Sequence, residues 1–310
     1  MSVSMQTCGK CQQAHSNTLF SKGDPRCPNC KADAIDSEAD FIAMTKAVEA
    51  SNESIARRTL AERALSRRRL LAYIERMNPG YQAGWVHRDI CRRLEKFCQD
   101  VVDGLSPRLM LTVPPRHGKS TIGSVNMPAW HLGNYPSHEI ISCSYAEGLA
   151  LGFSKKCRDQ ISSLAYKAIF NNGARLDPKT KAAANWLTTA GGGYLAAGVG
   201  GGITGKGAHI LIIDDPVKNR EDAESQNNRD MNWDWYTSTA YTRLTPGGGV
   251  LVIMTRWHDD DLAGRLLAMG ASNMGDTWEL VRYPAEAEED EPFRKKGEAL
   301  HPERYDLNAL

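Results

Sequence analysis

The chain has 310 residues, of which 41% are hydrophobic and 24% are charged, and its formal net charge at pH 7 is +1. These values are typical of a soluble globular protein with about two domains. They exclude a globally basic nucleic-acid-binding surface, and the lack of any run of about 18 apolar residues excludes a membrane-spanning helix. The polar N-terminus does not resemble a signal peptide, so we expect the cytoplasm as the compartment.

Four cysteines in residues 1–33 predict a structural zinc site. Cys8 and Cys11 are separated by two residues, and Cys27 and Cys30 repeat that spacing. Two such pairs can place four thiolates on one Zn²⁺ ion, and metal binding would supply much of the folding free energy of so small a segment. We therefore predict a zinc-ribbon-like domain, with two disulfides or free thiols in a disordered tail as alternatives. The remaining cysteines are predicted core residues: Cys91, Cys98, Cys143 and Cys157.

Residues 34–80 are predicted to form a basic helical region. Apolar residues recur there at helical intervals, and seven arginines lie between Arg57 and Arg76. Asn78-Pro79-Gly80 ends the pattern. The arginines predict contact with DNA phosphates or with a neighbouring subunit, and a solvated helix face with some glutamate pairing is the alternative.

Residues 81–310 are predicted to form an α/β domain with a mostly parallel sheet and helices on both faces. Segments of strand-like and helical pattern alternate through this region, which is typical of such a sheet. The glycine-rich stretch 190–207 is predicted to be a hairpin or a mobile loop beside the nucleotide. Strands are predicted at 109–113, 139–144, 209–213, 249–254 and 278–283, and helices at 85–102, 120–132, 146–164, 221–236 and 259–269.

A loop at residues 113–120, Val-Pro-Pro-Arg-His-Gly-Lys-Ser, predicts a nucleotide-phosphate site of the Walker A type. It lies between an apolar strand-like run and a helical pattern. In this layout the loop amides and the helix N-terminus face the phosphates, the lysine reaches the β and γ oxygens, and the serine hydroxyl binds Mg²⁺. Pro114 and Pro115 have no N–H, so the amides from Arg116 to Ser120 must form the cradle. An ordinary strand-to-helix turn is the alternative.

A second motif supports the first. The apolar run 209–213 ends in Asp214 and Asp215. A buried strand that ends in two acidic residues is how a Walker B element presents a metal-binding aspartate and a water-activating acid.

These motifs together resemble the ATPase half of a large terminase subunit, the DNA-packaging motor of tailed bacteriophages. The resemblance covers about residues 80–310 and implies an ASCE-type P-loop NTPase fold. Four segments carry it: LMLTVPPRHGKST at 109–121, the glycine-rich approach at 200–207, ILIIDDP at 210–216 and MTRWHDDDLAGRLL at 254–267.

The resemblance implies roles for the residues of both motifs. Lys119 would neutralise the β and γ phosphates, and Ser120 and Asp214 would hold Mg²⁺. Asp215 stands where many terminases carry the glutamate that orients the attacking water. Because aspartate is one methylene shorter, Glu221 and Glu224 are the alternatives. The residues expected to bind ATP are Arg116, His117, Gly118, Lys119, Ser120, Thr121 and Asp214.

The resemblance also implies roles for arginine residues. Arg116 would stabilise charge in the transition state, and Thr255 and Arg256 match the segment thought to couple the γ-phosphate to movement. Strand-end packing is the alternative for Arg256, Trp257 and His258. Arg175 or Lys206 would serve a neighbouring subunit's site. Three carboxylates after this segment suit a helix N-terminus, where they interact favourably with its dipole: Asp259, Asp260 and Asp261.

The implied function is an Mg²⁺-dependent ATP hydrolase that drives double-stranded DNA into a procapsid. Its expected partners are the small terminase subunit, the portal protein and copies of itself in a homo-oligomeric ring, in the host cytoplasm and without a membrane. The family's nuclease domain does not occur in residues 81–310, so nuclease activity is not expected. One alternative is another DNA-dependent P-loop enzyme such as a helicase, against which the Thr-Arg-Trp-His segment argues. The other is a zinc-stabilised binding module with an inactive P-loop.

Overall fold

The computed structural model describes residues 5–7, 14–16, 38–203 and 205–305. The chain divides into two compact units, Met1–Ala61 and Glu62–Leu310. The predicted domain boundaries at 33 and 80 remain predictions. None of the helices in the described ranges combines the length and apolar composition that crossing a membrane requires.

The first unit contains a short β-hairpin and most of a long helix. Strand β1 (Met5–Thr7) pairs antiparallel with β2 (Ala14–Ser16), and helix α1 (Glu38–Arg68) begins in this unit. The four cysteines of the predicted zinc site, Cys8, Cys11, Cys27 and Cys30, lie outside the described residues.

The second unit begins with the end of α1, which a break at Arg69 separates from α2. Arg69 has extended backbone angles. Its guanidinium and the Leu70 amide both bind the carboxylate of Glu95, at 2.9 and 2.6 Å. This carboxylate satisfies an N–H that the interrupted helix leaves without an acceptor. The predicted helical region therefore becomes two helices.

The predicted helices and strands of residues 81–310 are present with boundaries that differ by a few residues, but the helix predicted at 221–236 is two helices and three further strands lie between 176 and 198. Helices are α2 (Leu70–Met77), α3 (Trp85–Val102), a π-helix (Thr121–Asn126) that continues into α4 (Met127–Asn134), α5 (Glu147–Ser162), α6 (Leu164–Ile169), α7 (Arg220–Glu224), α8 (Gln226–Trp235) and α9 (Leu262–Ala271). Strands are β3 (Arg108–Thr112), β4 (Glu139–Ser144), β5 (Leu176–Lys181), β6 (Asn185–Thr188), β7 (Gly193–Gly198), β8 (Ala208–Asp214), β9 (Leu244–Met254) and β10 (Glu279–Arg282).

Eight strands form one mixed sheet in the order β10-β3-β9-β8-β4-β7-β6-β5. The pairs from β10 to β7 are parallel, whereas β6 and β5 are antiparallel. The central strands are apolar on both faces because helices cover both sides. In β3, Leu109 and Leu111 join one hydrophobic core with α2 to α6, and Met110 joins a second core with α8 and α9.

The glycine-rich stretch is in part a strand. β7 lies between β4 and β6, with Gly193 and Tyr194 paired to Glu139 and Ile140. β6 and β7 form a hairpin, but its first strand, Asn185–Thr188, precedes the stretch 190–207 in which the sequence predicts a hairpin or a mobile loop. The sequence predicts none of β5, β6 and β7 as strands. In β7 four of the six residues are glycine or alanine, and β5 contains Asp177 and Pro178, all of which are residue types depleted in strands.

Candidate active site at the carboxyl ends of the strands

Three adjacent parallel strands bring the two predicted motifs together. The loop 113–120 follows β3, Asp214 is the last residue of β8, and Thr255 follows β9, which lies between them. Parallel strands end at the same edge of a sheet, so segments far apart in sequence meet there. The Val113 amide donates to the Met254 carbonyl at 3.1 Å and fixes the start of the loop.

Asp214 is fully buried and is held by two serine hydroxyls. Ser120 Oγ donates to Asp214 Oδ1 at 2.9 Å, and Ser124 Oγ donates to Oδ2 at 2.6 Å. Burial raises the pKa of Asp214 to about 7, with the Asp215 charge adding to the effect and the serine hydrogen bonds opposing it. A buried carboxylate with this environment lacks a full counter-charge, which a cation would supply.

Lys119 and Asp215 form an ion pair in front of this carboxylate. Lys119 Nζ lies 2.9 Å from Asp215 Oδ2 and 3.1 Å from Thr255 Oγ1. Asp215 Oδ1 accepts a hydrogen bond from the Thr255 amide at 2.9 Å. The lysine side chain is 8% exposed, so these partners replace much of the water that its ammonium group would otherwise bind.

Two residues of the loop have left-handed backbone conformations. Arg116 has φ of 64° and Gly118 has φ of 79°, both in the left-handed region. That region costs a non-glycine residue roughly 1–2 kcal/mol. The Arg116 side chain is exposed, whereas that of His117 is turned inward and is 2% exposed. His117 can therefore offer a nucleotide its backbone amide but not its ring.

A cleft of about 270 Å³ opens beside this group, between the loop, the residues after β9 and the segment after β10. Its walls include Pro114, Pro115, Thr255 and Arg256. The donor set next to it consists of hard oxygens and one ammonium group. Hydroxyl and carboxylate oxygens suit Mg²⁺, and an ammonium beside helical and loop amides suits phosphate.

Residues 110–310 match the family model described as terminase large subunit, T4likevirus-type, N-terminal. The match spans well over half of the chain. The protein belongs to this terminase large subunit family.

Solved structures of phage terminases resemble parts of the chain. The crystal structure of the HK97 bacteriophage large terminase is 17% identical, with a TM-score of 0.43, and 72% of this chain covers 44% of that one. A large terminase from a thermophilic bacteriophage, solved in complex with ADP, is 9% identical, with a TM-score of 0.37, over 62% of this chain and 44% of that one. The chain thus spans less than half the length of these terminases. No curated protein matches it in sequence.

Among the residues predicted from the terminase resemblance, Arg256 is engaged with its own segment. Its Nε donates to Asp261 Oδ2 at 2.8 Å, and its Nη2 donates to the carbonyls of His258 and Asp259, both at 3.3 Å. Asp261 is 1% exposed and also accepts from the Gly264 amide at 2.9 Å as the N-cap of α9. Asp261 thus has the predicted helix-terminus position, whereas Asp260 pairs with Arg229 and Arg265 and Asp259 is exposed. Arg256 remains a predicted catalytic residue.

The alternative acids lie on the helix that follows β8, and the cations predicted to serve a neighbouring site lie on other segments. Glu221 and Glu224 are exposed on α7, and Glu224 Oε2 is 3.9 Å from His258 Nε2. Arg175 donates to four carbonyls of the turn after α6. Lys206 precedes β8 and so lies toward the opposite edge of the sheet from Lys119. Asp215 is the acid that lies against Lys119.

Sequence reasoning missed two parts of the site. Ser124 reaches Asp214 from the π-helix, four residues after Ser120, a spacing that places both hydroxyls on one face of a helix. The second part is a polar cluster behind the loop, formed by Tyr81 before α3, His87 in the first turn of α3, and His301 and Tyr305 after β10.

Two predictions away from this site stay predictions. Within the described ranges no group of three or more histidine, cysteine or acidic residues is arranged to hold a metal ion, and the zinc cysteines lie outside those ranges. In the basic helical region, Arg57 of α1 pairs with Glu53 at 2.6 Å, and Arg76 of α2 pairs with Glu62 at 3.0 Å. Such pairs agree with a partly solvated helix face, and contact of this region with DNA or with a neighbouring subunit stays a prediction.

Proposed function

We propose that the chain is an Mg²⁺-dependent ATPase of the P-loop class and the motor part of a terminase. The observation that carries the proposal is the convergence of Lys119, Ser120, Asp214 and Asp215 at one edge of the sheet, with Thr255 between them. Membership of the terminase large subunit family supports the same function.

The Lys119–Asp215 pair suggests how binding prepares hydrolysis. A γ-phosphate near Lys119 competes with Asp215 for the ammonium group, because both are anions and the ammonium is largely buried. Once released, Asp215 keeps its hydrogen bond to the Thr255 amide and has a free oxygen with which to orient a water molecule. The water attacks the γ-phosphorus and passes a proton to the Asp215 carboxylate, the bond to the bridging oxygen breaks, and ADP leaves with that electron pair.

Ser120 and Asp214 would hold Mg²⁺, and Ser124 would orient the aspartate. The ion supplies charge neutralisation on the β and γ phosphates when bound. Asp214 must be ionised to hold the ion. Its two hydroxyl donors favour the ionised form, and the charge of the ion would favour it further. Arg116 is exposed at the loop and is proposed to stabilise transition-state charge, in the same subunit or across a subunit boundary.

Double-stranded DNA, the small terminase subunit and the portal protein are the proposed partners, with the chain in a homo-oligomeric ring in the host cytoplasm. A ring in which one subunit completes the site of the next predicts that hydrolysis depends on protein concentration. Four cysteines before residue 34 are proposed to bind Zn²⁺.

ATP hydrolysis by the purified protein with Mg²⁺, measured across protein concentration with and without double-stranded DNA, tests the proposal. Lys119→Ala should lower kcat at least about 100-fold, since it removes the charge placed for the transferring phosphoryl group. Lys156→Ala, on the exposed face of α5, is the matched control and should leave kcat unchanged. Nucleotide binding without turnover at any concentration would favour the inactive binding module instead.

A further inference from the structure

The phosphate-binding loop is supported from behind by two side chains that do not belong to either motif. A Cβ atom on Gly118 would lie 3.6 Å from His87 Nε2 and 4.0 Å from Tyr81 Oη. His87 is 3% exposed, in the first turn of α3. The His87 ring therefore lies beside the loop, at a distance at which a side chain at position 118 would be in ordinary van der Waals contact with it.

The His87 ring has a defined orientation. Its Nδ1 accepts a hydrogen bond from the Gly84 amide at 3.0 Å, so the proton of the neutral ring is on Nε2, the atom that faces the loop. Burial and the nearby His301 ring lower the pKa of His87 to about 4. The ring is therefore neutral at physiological pH, and it presents an N–H to the backbone of residues 117 and 118.

Residues 299–305, which we call the clamp segment, close over the other side of this ring. The His301 ring meets His87 edge-on with centroids 4.7 Å apart, and the Tyr305 ring lies 5.1 Å from that of His117. His301 is 3% exposed. The clamp segment is anchored independently of the loop, because the Leu300 amide donates to the Ala285 carbonyl at 2.8 Å.

Close approach of the clamp segment requires glycine at position 84. A Cβ atom there would lie 2.9 Å from His301 Cδ2 and 3.2 Å from His301 Nε2. Three buried polar atoms of the cluster have no hydrogen-bond partner among the described residues: Tyr81 Oη, His117 Nε2 and His301 Nδ1. Unpaired buried polar groups are costly, so hydrogen bonds within the described residues do not fully satisfy the contact between the loop and the cluster.

We propose that His87 and His301 are positioning residues for the phosphate loop, and that the clamp segment links the loop to the chain beyond β10. A displacement of residues 299–305 then changes the placement of Lys119 and the affinity for nucleotide. Conversely, nucleotide in the loop changes the mobility of the clamp segment, because coupling between two sites is reciprocal.

Deuterium exchange of the backbone amides in residues 116–121 tests this without nucleotide. His87→Ala and His301→Ala should each speed exchange in these residues at least about 5-fold, since the loop loses its support. Gly84→Ala should do the same by displacing His301 while both histidines remain. The matched control is His131→Ala, a fully buried histidine in α4 whose ring contacts Tyr135 and His138.

ATP kinetics provide a second readout, which rests on the proposed function. The variants at 87 and 301 should raise KM for ATP about 10-fold with kcat changed less than about 3-fold. His87→Gln, which keeps an N–H donor, should recover part of the loss. Loop exchange in the 84, 87 and 301 variants equal to that in His131→Ala would overturn the inference, whether or not the protein hydrolyses ATP. Failure of the wild-type protein to hydrolyse ATP would count against the proposed function alone.

Discussion

Asp215 binds two different partners with its two carboxylate oxygens, and this division sets the expectation for its substitution. Asp215→Asn keeps an acceptor for the Thr255 amide but loses the charge that pairs with Lys119. We expect nucleotide affinity to be retained or increased and hydrolysis to fall at least about 100-fold, as for the loss of a general base.

Calorimetric binding and single-turnover hydrolysis would separate these two effects. Glu224→Gln is the matched control, because Glu224 is the exposed alternative acid on α7. Single-turnover hydrolysis within a factor of about three of wild type in Asp215→Asn would move the role of base to α7.

The raised pKa of Asp214 predicts that the free energy of unfolding depends on pH. Burial raises its pKa in the folded protein to about 7, above the usual 3.8. A raised pKa means that its stabilising contribution is complete below about pH 4 and is lost as the pH rises through 7. In Asp214→Asn this loss disappears, so the metal-free variant should gain at least about 1 kcal/mol relative to wild type between pH 5 and pH 8.

Urea unfolding in EDTA at both pH values measures that difference. Added Mg²⁺ should stabilise the wild-type protein more at pH 8 than at pH 5, because the ion binds the ionised carboxylate. Equal responses to pH in wild type and Asp214→Asn would show that the carboxyl titrates normally.

Among the secondary-structure elements, α9 depends at its N-terminus on one buried carboxylate. Asp261 caps the helix through Gly264 and pairs with Arg256. Asp261→Ala removes both contacts and leaves the arginine without its partner, so we expect a loss of about 2–3 kcal/mol in the free energy of unfolding. Asp261→Asn keeps the cap and should lose less.

Asp259→Ala is the control for that experiment. Asp259 is fully exposed, and its carboxylate lies 4.0 Å from Arg256. Its removal should leave the urea midpoint of unfolding at the wild-type value, because water screens an exposed ion pair of this length. Similar losses for positions 259 and 261 in denaturant unfolding would mean that burial of the cap contributes nothing.

The division of the molecule into two units allows metal binding and nucleotide binding to be tested separately. The predicted zinc cysteines precede Ala61, whereas every residue of the candidate active site follows Glu62. Cys27→Ser should abolish bound zinc, measured by plasma emission. The three remaining thiolates hold the ion much less tightly than the four of the intact site.

Nucleotide affinity in the same variant should stay within about a factor of three of wild type, because no residue of the candidate active site belongs to the first unit. Cys91→Ala, which removes a buried thiol from the second unit, should leave the zinc content at the wild-type value. Loss of zinc in both variants, or in neither, would contradict the assignment of the metal to the N-terminal cysteines.

Local sequence patterns were sufficient to locate the segments that carry the chemistry. The loop 113–120, the acidic end of the 209–213 run and the order of most strands and helices were readable, because each leaves a local pattern of glycine, charge or apolar periodicity. The mixed α/β class, the mostly parallel sheet and membership of the terminase family agree with those predictions.

The contacts between these segments are visible in the folded chain alone. The pairing of Lys119 with Asp215, the reach of Ser124 to Asp214 and the support of Gly118 by His87 join residues from different strands and helices. None of these contacts can be read from one local segment, because each joins residues that are far apart in the sequence. Local patterns record which side chains a segment presents, and the packing of the sheet records which of them meet.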